Sequence, residues 1–143
     1  PEAQQEPTSG EGSFRLPDKS TYQGEWIAVD LVKKRHGVGH YVDATDGAGG
    51  NSYAGEWKDA QMHGHGVFHF ASGAKYEGRF DSNQFSGHGK YVFADGSFYE
   101  GAFAENQPHG AGSFTDVQGV VWEGKFYQGI GPGLPATGKV VAS

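Results

Sequence analysis

The chain has 143 residues, no cysteine, a net charge of −6 and 14% aromatic residues. The missing thiols exclude disulfides, zinc–thiolate centres and a Cys nucleophile. The acidic balance disfavours general binding to nucleic acid or to an anionic membrane surface, and no apolar run approaches the ~20 residues of a membrane-spanning helix.

Residues 1–9 read as a flanking segment. From Gly10 the chain alternates with period two, the strand signal, first in Gly10-Glu-Gly12-Ser-Phe14-Arg-Leu16. A first full unit opens with Tyr22-Gln-Gly24-Glu-Trp26 and closes with His36-Gly37-Val-Gly39-His-Tyr41. The second unit pairs Tyr53-Ala-Gly55-Glu-Trp57 with His63-Gly64-His-Gly66-Val-Phe68-His-Phe70. The third pairs Tyr76-Glu-Gly78-Arg-Phe80 with Gly87-His-Gly89-Lys-Tyr91-Val-Phe93. The fourth pairs Tyr99-Glu-Gly101-Ala-Phe103 with His109-Gly110-Ala-Gly112-Ser-Phe114, and Trp122-Glu-Gly124-Lys-Phe126 starts a fifth. The starts at 53, 76, 99 and 122 are 23 residues apart, and a fixed period of this length means one small unit stacked many times.

Five residues separate the two halves of a standard unit, with Ala60, Asn83, Asn106 and Gly129 at the centre. Asn and Gly tolerate the left-handed conformation of tight hairpins. Ser72-Gly73, Asp95-Gly96 and Gln118-Gly119 mark turns between units. The first unit instead carries nine residues, Ile27–Arg35, and four more are inserted within Asp43–Ser52. Strand, turn, strand, turn predicts an all-β fold: an elongated single-layer antiparallel meander of stacked β-hairpins. The array spans 10–133, a half repeat plus about five units, and 134–143 forms a tail or cap.

Tyr76, Gly78 and Phe80 fall on one face of their strand, with Glu77 and Arg79 on the other. Glycine weakens a strand interior, so its place beside rings is read as steric room for a neighbouring ring across the backbone. A single sheet also needs something to cover its apolar face. The rings of Tyr53, Trp57, Tyr76, Phe80, Tyr99 and Phe103 must therefore cover one another or a partner, and these six are the candidate partner-binding residues.

No catalytic constellation emerges. His36, His63 and His109 share one repeat position, which points to a turn hydrogen bond. Neither Cys nor a matched carboxylate completes a metal set around His63 and His65. Gly-x-Gly recurs without a following helix, so it does not cradle phosphate. Glu77, Glu100 and Glu123 form a solvated row at the stacking period. No active site, cofactor or metal is expected. Lys33-Lys34-Arg35 is the one basic cluster and the candidate phosphoinositide contact, although membrane-directed clusters carry more charges and a solvated loop is favoured.

Tyr53-Ala-Gly55-Glu56-Trp57, five turn residues and His63-Gly64-His-Gly66 resemble the MORN repeat. The likeness extends over roughly residues 10–133 and recurs in several copies. It departs at Phe80, Phe103 and Phe126, which stand for Trp, at Arg79, Ala102 and Lys125, which stand for Glu, and at Ser86 and Pro132, which stand for His. The resemblance implies stacked hairpins in a twisted sheet with a groove, and scaffolding roles in cilia or flagella, the axoneme, the cytoskeleton, membrane junctions and germ cells. It implies a non-catalytic adaptor that holds a partner peptide or helix in a larger cytoplasmic complex. The alternatives are a peripheral membrane module acting through Lys33, Lys34 and Arg35, or a targeting array of a larger protein. Open strand edges near Phe14 and Phe126 add an expectation of self-association.

Overall fold

A computed structural model describes residues 8–44 and 50–127. They form ten antiparallel strands in one open sheet, each strand beside its neighbours in sequence. The strands are β1 (Thr8–Arg15), β2 (Thr21–Val29), β3 (Val32–Val42), β4 (Ser52–Lys58), β5 (Gln61–His69), β6 (Lys75–Asp81), β7 (Gln84–Val92), β8 (Phe98–Ala104), β9 (Gln107–Thr115) and β10 (Val121–Phe126). The predicted meander of hairpins is what forms. β1 and β10, which carry Phe14 and Phe126, end the described sheet. The second half of the fifth unit with Gly129 and Pro132, the tail 134–143 and most of the flank 1–9 lie outside the described residues.

Within a hairpin the turn is tighter than the five residues expected. Asp59–Ala60, Ser82–Asn83 and Glu105–Asn106 each have two consecutive residues at positive φ, between 49° and 71°. That is the two-residue type I′ turn, whose twist suits the flanking strands. The other three residues of each spacer belong to the strands, one to the first and two to the second. The nine residues Ile27–Arg35 are not a loop either. They lengthen the first hairpin, with Ile27 opposite Lys34, Ala28 opposite Lys33 and Val29 opposite Val32, around a turn at Asp30–Leu31. Lys33, Lys34 and Arg35 accordingly belong to strand β3, where ladder bonds fix the backbone. The second insertion is closed by the Asp43 N–H donating to the Asn51 carbonyl at 2.9 Å.

Every full hairpin carries a bulge. Pairing of Gly55 with Gly66 jumps to Trp57 with Met62, so Glu56 faces three residues, His63, Gly64 and His65. Gly64 turns there at φ 65°. The Glu56 carboxylate accepts the His65 N–H, and Glu25 accepts the Val38 N–H at 2.8 Å. This explains the motif Glu: it satisfies a donor that the bulge takes out of the ladder. Arg79 and Ala102 occupy that place in the later hairpins and bring no acceptor.

Hairpins are also pinned to one another through their turns. The Asn83 N–H donates to the Met62 carbonyl at 3.1 Å, and its side-chain oxygen accepts the Met62 N–H at 2.8 Å. Asn106 does the same with Phe85, at 3.2 and 2.8 Å. Ala60 has no side-chain acceptor, and only its N–H makes the equivalent bond, to the Arg35 carbonyl at 2.8 Å. Between repeats, Asp95 accepts both the N–H and the hydroxyl of Ser97, at 2.9 and 2.6 Å. These bonds hold its carboxyl below the usual carboxylate range.

One glycine from each strand lies in a single row across the sheet: Gly12, Gly24, Gly39, Gly55, Gly66, Gly78, Gly89, Gly101, Gly112 and Gly124. Each is paired directly with the next. The row is a furrow without side chains, and the motif tyrosines fill it. A Cβ on Gly89 would stand 2.5 Å from the Tyr76 ring, and one on Gly66 2.5 Å from the Tyr53 ring. The steric reading of the strand glycines therefore holds.

Candidate functional site

The aromatic face has two tiers. In the lower tier, Tyr22, Tyr53, Tyr76 and Tyr99 lie in the glycine furrow, and each hydroxyl donates to a backbone carbonyl three residues on. The acceptors are Glu25, Glu56, Arg79 and Ala102, at 2.6, 2.8, 2.8 and 2.9 Å. Trp57, Phe80, Phe103 and Phe126 stand between them. The contacts run edge-to-face down the array. Tyr22 meets Trp57 at 5.6 Å between ring centroids, and Trp57 meets Tyr53 at 5.0 Å. Tyr53 meets Phe80 at 4.9 Å, and Phe80 meets Tyr76 at 5.1 Å. Tyr76 meets Phe103 at 5.0 Å, Phe103 meets Tyr99 at 5.1 Å, and Tyr99 meets Phe126 at 4.9 Å. Such pairs add roughly 0.5–1.5 kcal/mol each beyond the burial of their area.

All six sequence-predicted site residues belong to this lower tier. Tyr53, Tyr76 and Tyr99 are 0% exposed, Phe80 3%, Phe103 5% and Trp57 6%. The structure brings them together, but as the core: of the two possibilities, covering one another or a partner, they cover one another. The physical reason is the furrow, which lets each tyrosine sink to the backbone beneath its neighbours. Burial pushes the phenols of Tyr22, Tyr76 and Tyr99 up to about 12 and raises that of Tyr53 as well. At neutral pH they stay protonated and hydrogen-bonded.

The upper tier consists of half-buried residues packed on that core: Tyr41, Met62, Phe68, Phe70, Tyr91 and Phe93. Phe70 bridges Phe68, at 4.7 Å, and Tyr91, at 5.7 Å. Tyr91 meets Phe93 at 4.9 Å, and Phe85 stacks flat on Tyr76 at 3.9 Å. Phe85 is itself buried, and the half-buried rings are the accessible part of the aromatic face. Their positions in the second half-motif were visible in the sequence. Period two, however, assigns a face and does not rank rings within it by depth.

The opposite face is polar. Glu77 stands opposite Lys90, and Lys90 opposite Glu100, while Lys75 lies 4.0 Å from Glu77. The motif histidines join neighbouring hairpins there. His36 Nδ1 accepts the Asp59 N–H at 3.3 Å, and His63 Nδ1 lies 3.9 Å from the Asp81 carboxylate. Among the described residues no three His, Asp or Glu side chains cluster as a metal site would require.

The basic cluster divides along its strand. Lys34 is exposed. Lys33 lies over Trp26, its Nζ 4.3 Å from the ring centroid, and 5.3 Å from that of Phe14. Arg35 lies over Trp57 at 4.8 Å and Tyr41 at 5.3 Å, and donates to the Ala60 carbonyl at 3.2 Å. Lys33 and Arg35 are thus part of the aromatic face.

An open sheet of 23-residue hairpins with one polar and one ring-covered face defines a repeat-type binding module. Residues 53–75, 76–98 and 99–121 each match the model of the MORN repeat. The chain therefore carries three consecutive MORN repeats, units of protein and membrane interaction. A comparison with curated proteins finds no match.

Proposed function

We propose that this chain is a non-catalytic scaffold that receives a partner's helix or extended peptide on its aromatic face. The observation that carries this reading is the upper tier: half-buried rings from Tyr41 to Phe93 lie on a fully buried core, with no second layer over them among the described residues. Contiguous apolar surface of this kind marks interaction sites, and aromatic rings supply anchors there. A ciliary or cytoskeletal assembly in the cytoplasm is the setting we propose, on the strength of the MORN resemblance.

The test is site-specific photocrosslinking in lysate of ciliated or germ-line cells. Benzoylphenylalanine is placed in turn at Phe70 and Phe93 on the ring face, and at Glu77 and Glu100 on the polar face. Discrete adducts from the first pair alone support the reading. Adducts of equal yield from both faces, or from the polar face alone, refute it.

A further inference from the structure

The first hairpin breaks the chemistry of the face. In the later hairpins the residue opposite the motif aromatic is apolar: Met62 faces Trp57, Phe85 faces Phe80 and Pro108 faces Phe103. In the first hairpin that place, opposite Trp26, is held by Arg35. Two residues further out the lengthened strand adds Lys33. A cavity of about 160 Å³ opens here, lined by Phe14, Trp26, Lys33, Lys34 and Arg35 together with Arg15.

None of these four cations pairs with a carboxylate among the described residues. Asp18 feels the Arg35 charge only as the least of its influences, and its carboxylate is held by Ser20. The Arg35 Nε–H is buried with no acceptor, a state that costs free energy. A chain of net charge −6 thus holds the unneutralised charges of Lys33 and Arg35 at one end of its ring face, against aromatic walls.

Resting on the reading of the aromatic face as a peptide groove, we propose that this end selects the acidic end of the partner segment, an Asp or Glu carboxylate flanking apolar anchors. The carboxylate enters the cavity between Lys33 and Arg35, while apolar side chains lie along Met62, Phe70 and Phe93. A protein segment fits better than a bilayer. Arg35 is half-buried between rings, where a flat anionic surface does not reach, and the cluster has fewer charges than lipid-directed basic segments carry.

The test uses two designed amphipathic helices with the same Leu stripe, one flanked by Glu and the other by Lys, titrated against the full chain by fluorescence anisotropy. The expected result is binding of the Glu twin ~10-fold or more tighter at low salt, with the ratio falling toward one near 1 M salt as the charges are screened. The variant Arg35→Met, which installs the residue type of the next hairpin, should abolish the preference and leave Leu-stripe binding. The exposed pair Lys33→Gln/Lys34→Gln should reduce it without affecting the fold. Equal affinity of the twins overturns the charge selection and leaves the groove reading standing. Binding by neither twin also overturns it, and the crosslinks at Phe70 and Phe93 then decide the groove separately. Tighter binding to phosphatidylserine vesicles than to the Glu twin, insensitive to Arg35→Met, assigns the cations to membrane and overturns it too.

Discussion

Gly89→Ala tests the central packing device of the fold. The added Cβ would stand 2.5 Å from Cζ of Tyr76, a ring that is 0% exposed and walled in by Phe80, Phe85 and Phe103. The ring has to tilt out of the furrow. Overpacking of this kind costs about 1–3 kcal/mol, and losing the Tyr76 hydroxyl bond to the Arg79 carbonyl at 2.8 Å adds about 1 kcal/mol. The expected loss is therefore about 3 kcal/mol. Gly96→Ala is the control: no atom lies within 4 Å of its added Cβ, and only its φ of 95° is unfavourable, for about 1–2 kcal/mol. Urea unfolding followed by circular dichroism gives both midpoints, with equal m-values as the condition for comparing them. A loss at Gly89 no larger than that at Gly96 would refute the furrow. So would strict additivity of Gly89→Ala with Tyr76→Leu, because the smaller side chain should relieve the clash and couple the two sites.

Further outcomes follow from other contacts. Ala60→Asn should stabilise by about 1 kcal/mol, read from the urea midpoint. It supplies the side-chain acceptor that Asn83 and Asn106 provide, at a φ of 69° where Asn is better tolerated than Ala. Glu56→Ala should cost about 1 kcal/mol by leaving the His65 N–H without its carboxylate, whereas Ala102→Ser, where the motif Glu is already missing, should be nearly neutral. In alkali the buried phenols set the limit. Unfolded tyrosines lose their protons near 10, while Tyr22, Tyr76 and Tyr99 hold theirs to about 12. The folded chain then binds more protons, so stability that is intact below pH 10 falls as the pH rises from about 10 to 12. Tyr99→Phe should flatten that fall in a pH series of urea midpoints. In acid, Asp95 contributes in the opposite sense. Its lowered carboxyl stabilises above the usual carboxylate value and loses that effect as the pH falls through its folded value, so Asp95→Asn should weaken the acid dependence.

Much of this molecule was legible because its signals are periodic. Tyr, Gly and Phe at every second residue fixed strands and faces, and the 23-residue spacing fixed their stacking. What escaped was depth and closure. Tyr76 and Tyr91 share a face and stand directly opposite each other, yet one is sealed and the other half-open. The difference lies in which ring finds the glycine of the neighbouring strand, a three-dimensional fact that alternation does not encode. The nine residues Ile27–Arg35 read as a loop because they exceed the period. In fact Val29 and Val32 can still pair, so the hairpin lengthens. In the sequence Arg35 is part of a charge run, whereas its partner across the strand, Trp26, places it among rings.

The repeat also gives the array a unit of length. Two strands at 4.7–4.9 Å apiece advance each hairpin by about 9.5 Å along the sheet. A helix laid along that direction rises 1.5 Å per residue and would meet successive hairpins every ~6–7 residues. An extended chain would meet them every ~3 residues. The sheet thus acts as a graduated rule, and the spacing of apolar residues in any segment that binds along it reports whether that segment lies there as a helix or as a strand.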